Sequence, residues 1–69
     1  MSYAVCLSNE GYAASLEPRK LYELLPDGEA RARGMLRVVD ESGEDYLYPA
    51  SMFAPVQLPE KLEAALKVA

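Results

Sequence analysis

Glycine and proline interrupt this chain at Gly11, Pro18, Pro26, Gly28, Gly34, Gly43, Pro49, Pro55 and Pro59. The segments between them are too short for parallel βαβ units with crossover helices. What they can form is a series of short antiparallel strands. YAVCL, Tyr3 to Leu7, is apolar with β-branched and aromatic members, and SNEGY breaks it at residues that tolerate turn conformations. Leu21 to Leu25 gives a second strand, set off by Pro18 and closed by PDG. MLRVV gives a third, with Leu36 and Val38 on one face, and DYLYP a fourth, with Tyr46 and Tyr48 sharing a face. PVQL gives a last short strand, and ASMF before it suits a 3₁₀ turn. EARARG suits one helical turn ended by Gly34 in the left-handed conformation.

The tail changes period. LPEKLEAALKVA places Leu58, Leu62, Ala65, Leu66 and Ala69 on one helical stripe, with Pro59 and Glu60 in the first turn. A helix of about 10 residues is marginal alone in water. Leu62 and Leu66 are therefore expected to be buried, on the barrel or against another chain. The division is a barrel over residues 1–58 and an amphipathic helix over 59–69. The expected fold is mainly β, a small five-stranded antiparallel, partly open barrel with a short C-terminal helix. Its expected core is Val5, Leu16, Tyr22, Leu24, Leu36, Val38, Tyr48 and Phe53.

The middle of the chain, about Ala14 to Val56, resembles the SH3-like barrel. SLEPRKLYELLPD looks like the family's block of an apolar residue, a turn and a strand with alternating core positions. Leu16, Tyr22 and Leu24 fall on those positions. YPASMF is similar to the family's proline motif, with Tyr48 before the proline, Pro49 as the proline, Ala50 as the small residue after it and Phe53 as the last core position. Met52 stands where the family places a tyrosine that faces peptide ligands. No tryptophan is present, the loop after the first strand reads as short, and the leading ALYDY-type motif is missing. The resemblance thus implies the fold, and not polyproline binding in its usual mode. The chain also resembles small bacterial proteins with a GY-ASLE-RK-Y-LPD and an LRV-DESGEDYLYP pattern, which again implies a fold and no activity.

With 69 residues and a net charge of −4, a large enclosed active site beside a working core is not expected. The single Cys6 and the absence of histidine rule out an ordinary zinc site. No glycine-rich phosphate loop and no nucleophile–base pairing appear. The expectation is a non-catalytic protein without cofactor or metal. Cys6 reads as a packed strand residue. DESGED, Asp40 to Asp45, has glycine fourth rather than sixth and lacks the alternating acids of a calcium loop. It reads as a solvated hairpin tip. No apolar stretch approaches the roughly 20 residues that span a bilayer, and no signal-peptide pattern opens the chain, so a cytoplasmic protein without membrane contact is expected.

Tyrosine suits both cores and interfaces. Tyr12, in the NEGY loop, is the one expected to be exposed, forming with Met52 and Tyr46 a shallow patch for a protein partner or a second copy of the chain. Leu62 and Leu66 are the other candidate contact residues. The alternative is a nucleic-acid-associated barrel using Arg19, Lys20, Arg31, Arg33 and Arg37, although the acidic balance disfavours it. The positions of these cations separate the two readings. One continuous face favours nucleic acid, and scattered positions paired with acids favour the interaction module.

Overall fold

The computed structural model of the chain describes residues 2–67. Five strands, β1 (Ser2–Cys6), β2 (Leu21–Leu25), β3 (Met35–Val39), β4 (Asp45–Pro49) and β5 (Phe53–Val56), form one antiparallel sheet in the order β4-β3-β2-β1-β5. A helical turn, α1 (Gly28–Ala32), sits between β2 and β3, a 3₁₀ turn (Ala50–Met52) between β4 and β5, and α2 (Glu60–Lys67) follows the sheet. The arrangement is mainly β and consistent with the partly open SH3-like barrel expected from the sequence. The last strand starts at Phe53 rather than Pro55, so Gln57 and Leu58 lie outside it.

Each turn has a local cause. Asp27 caps α1, its carboxylate accepting from the Ala30 N–H at 2.9 Å, and Gly34 ends that element at φ +74°. In the β3–β4 hairpin, Gly43 takes φ +83°, a conformation cheap for glycine and strained for side chains. The connection between β1 and β2, residues 7–20, was expected to be short. It is the longest in the barrel, and its own bonds fold it. Tyr12 carbonyl accepts from the Ser15 and Leu16 N–H groups, and Asn9 Nδ2 donates to the Leu16 carbonyl at 3.2 Å. The loop tucks Leu16 into the core, almost wholly out of solvent.

The core cluster joins Ala4, Cys6, Leu16, Tyr22, Leu24, Leu36, Val38, Tyr48 and Phe53. Phe53 stands edge-on to Tyr22 and Tyr48, with centroids 6.3 and 6.2 Å apart. The expected core is found except at Val5, which is only half-buried. On β1 it is Ala4 and Cys6 that enter the core, and Tyr3, on Val5's face, is also buried. YAVCL is apolar on both faces, so period alone assigned the wrong one. Cys6 is the packed residue expected. Its Sγ donates to the Ser8 carbonyl at 3.2 Å, and burial pushes its thiol pKa up.

Helix α2 leaves Leu62 46% and Leu66 38% exposed. Both lie open to solvent in the single chain. Ala69, the last residue of the expected stripe, lies outside the described residues. No helix among the described residues is long and apolar enough to cross a membrane.

Candidate interaction site

The hairpin tip and the β1–β2 loop meet, and their meeting builds the site. Glu41 N–H donates to the Ser15 carbonyl at 3.0 Å. Tyr22 hydroxyl accepts from the Glu17 N–H at 2.7 Å and donates to Glu41 Oε2. Lys20 Nζ bonds the same carboxylate. Beside this, Tyr48 hydroxyl donates to Asp40 Oδ2 at 2.6 Å, and the Ser42 N–H and hydroxyl both donate to Oδ1. Two phenol–carboxylate pairs thus tie the tip to the body of the barrel.

This corrects the reading of DESGED as only a solvated tip. Asp40 is 6% exposed and Glu41 is held by three partners from other segments. Glu44 alone fits the bland description. Asp45 lies exposed and pairs with Arg37.

The electrostatics of these groups follow from burial and from the bonds themselves. Burial pushes the Asp40 carboxyl up, but its bonds from Ser42 and Tyr48 outweigh burial and hold it below the usual carboxylate range. Lys20 first, then Tyr22, hold Glu41 low. Burial first, then the facing carboxylate, pushes both phenols up. In each pair the proton is fixed on the tyrosine, and neither member is poised for acid–base exchange near neutral pH.

Above Tyr48 the loop delivers Tyr12, whose ring stands edge-on to it with centroids 4.9 Å apart. Tyr12 is 39% exposed, and on the neighbouring edge strand Tyr46 and Leu47 are 51% and 41% exposed. These side chains, with Ser15, Asp40 and Tyr48, line a shallow groove of ≈ 250 Å³. The fold therefore brings together Tyr12 and Tyr46 of the expected patch. Met52 is half-buried against the core and does not line this groove, and Leu62 and Leu66 lie on α2, which contributes nothing to it. Leu47, Ser15 and Asp40 were not anticipated. The available signal was the tyrosines themselves, since a buried hydroxyl needs a partner.

A second depression, ≈ 200 Å³, lies on the other side of β4 and is lined by Asp27, Glu29, Ala30, Arg33, Met35, Arg37 and Leu47. Leu47 borders both. Of the five basic residues proposed as a nucleic-acid surface, three are engaged with acids. Lys20 pairs with Glu41, Arg33 with Glu29, and Arg37 with both Asp27 and Asp45. Comparison with family models, with curated proteins and with solved structures finds no match.

Proposed function

We propose that this chain is a non-catalytic protein-interaction module. One observation carries the reading. Of the six large apolar or aromatic side chains exposed among the described residues, three, Tyr12, Tyr46 and Leu47, meet around one groove on the sheet edge. An aromatic patch with polar tips is the composition that interfaces favour. The pairing of Lys20, Arg33 and Arg37 with carboxylates supports it over the nucleic-acid alternative, since phosphate contacts need free cations on one surface.

The test is capture from a native lysate on the immobilised chain, run in parallel with Tyr46→Ser/Leu47→Ser. Both side chains are exposed, so the double variant keeps the fold. The expected result is a defined set of proteins held by the parent and lost by the variant. Identical sets on both, or none on either, would count against the module. A titration of labelled single strands and duplex at low salt completes the comparison. Salt-sensitive micromolar binding there would put the nucleic-acid reading first.

A further inference from the structure

We propose that β4 is a docking edge for an extended peptide carrying lysine or arginine, which joins the sheet as an added strand. The proposal rests on the interaction-module reading and specifies its partner and mode. Three observations support it.

The first is the free edge. Among the described residues, β4 ends the sheet and pairs only with β3. In the hairpin, Asp40 N–H bonds the Glu44 carbonyl, which makes residues 40 and 44 a hydrogen-bonded pair. Bonded and non-bonded pairs alternate along an antiparallel ladder. Tyr46 opposite Val38 and Tyr48 opposite Leu36 are then bonded pairs. Asp45 and Leu47 turn their N–H and C=O groups to the open side. The other edge, β5, carries Pro55 inside a four-residue strand, and proline blunts an edge by removing a donor.

The second observation is that both faces of this edge are hollow. Tyr12, Tyr46 and Tyr48 border a groove on one face, and Ala30, Met35 and Leu47 border the depression on the other. Side chains of an added strand point alternately to the two faces. One register of the peptide would enter each hollow.

The third is charge. Asp40 lines the first hollow, and Asp27 and Glu29 line the second together with Arg33 and Arg37, of which Arg33 balances Glu29. Arg37 is shared by Asp27 and Asp45, so that trio stays net negative, and Glu44 adds to it at the start of the strand. A cationic peptide is complementary. A second copy of the chain is not, since it brings net charge −4. A five-residue edge also falls short of the roughly 800 Å² per partner that a stable dimer takes.

The experiment is selection from a displayed library of short random linear peptides on the immobilised chain. The expected winners alternate apolar residues with lysine or arginine. Methylating backbone nitrogens of the best peptide at alternate positions should weaken binding by about tenfold or more in one register and leave the other intact, because only one register faces β4. Leu47→Pro, which removes an N–H facing solvent, should weaken binding similarly, and exchange of each cationic residue for glutamine by about 1.5- to 5-fold. If Leu47→Pro does not fold, the methylated peptides decide.

Binding that tolerates methylation in both registers but fails with Tyr46→Ser would overturn strand addition while leaving the module reading intact. Failure to enrich any peptide would overturn strand addition too, and lysate capture would then judge the module on its own. A dimer by sedimentation that Leu47→Pro dissociates would make the occupant a second copy and also overturn the proposal.

Discussion

Removing the hydroxyl of Tyr48 would leave the Asp40 carboxylate, 6% exposed, with one donor fewer and little water to replace it. A charged group that loses a buried hydrogen bond costs about 1–3 kcal/mol. Tyr48→Phe is therefore expected to destabilise by about that amount, measured by urea unfolding, although it preserves the ring contacts with Tyr12 and Phe53. A loss below about 0.5 kcal/mol would mean that Asp40 keeps its charge satisfied by other means. Gly43 tests a different term. A Cβ there meets nothing within 4 Å, so the cost of Gly43→Val is conformational and comes from φ +83°. It should be about 1 kcal/mol or more. At Glu41 the expectation has changed with the structure. Glu41→Gln cuts its charge from Lys20 and Tyr22 and should lower the melting temperature, whereas Glu44→Gln should not. Equal melts for the two variants would return Glu41 to the solvated tip.

At the level of elements, period two was enough for β2 and β3, where Tyr22 and Leu24, and Leu36 and Val38, alternate with half-buried neighbours. It failed on β1, where Tyr3, Ala4, Val5 and Cys6 offer apolar groups to both faces. On β4 it placed Tyr46 and Tyr48 on one face, but the sequence could not show that the strand lies at an edge, which leaves Tyr46 open and Tyr48 buried. The same limit hid the carboxylate ties. Tyr22 and Lys20 reach Glu41 across 19 and 21 residues, and no local pattern encodes such a pairing. The turns, in contrast, were legible because Gly34 and Gly43 must meet a requirement set by their own backbone. Helix α2 was legible as an element, and its packing was not. With Leu62 and Leu66 exposed, removal of residues 60–69 should cost less than about 1 kcal/mol, or about 4–8 °C in Tm. Scanning calorimetry on the truncated chain checks this, and a larger loss would mean that α2 covers part of the barrel.

Across the whole molecule, the depressed carboxylates and raised phenols set limits of stability on both sides of neutral pH. Asp27 is held low by the Ala30 N–H first and then by Arg37, Glu41 by Lys20 and Tyr22, and Asp40 by Ser42 and Tyr48 against the opposing effect of burial. A carboxyl with a folded pKa below its unfolded one contributes stability that is fully present above the unfolded value and is lost as pH falls through the folded value. The unfolded chain then binds more protons, and acid favours it. Tyr22 and Tyr48 act in the opposite sense. Their raised pKa values give stability that is present below the unfolded tyrosine value, about 10, and is lost as pH rises through the folded ones. Melts followed by circular dichroism should therefore show a plateau from about pH 5 to about pH 9, with Tm falling on each side. The acid limb belongs to the tip and to the α1 cap, so Glu41→Gln and Asp27→Asn should each lower the plateau and flatten that limb. Tyr48→Phe should lower the plateau and shrink the alkaline limb, since it removes one of the three raised phenols, Tyr3 being the third. A Tm that holds steady from pH 5 down to about pH 2 would show that these carboxylates are no better satisfied in the folded chain than in water. The ties between the hairpin and the loop would then contribute nothing to its stability.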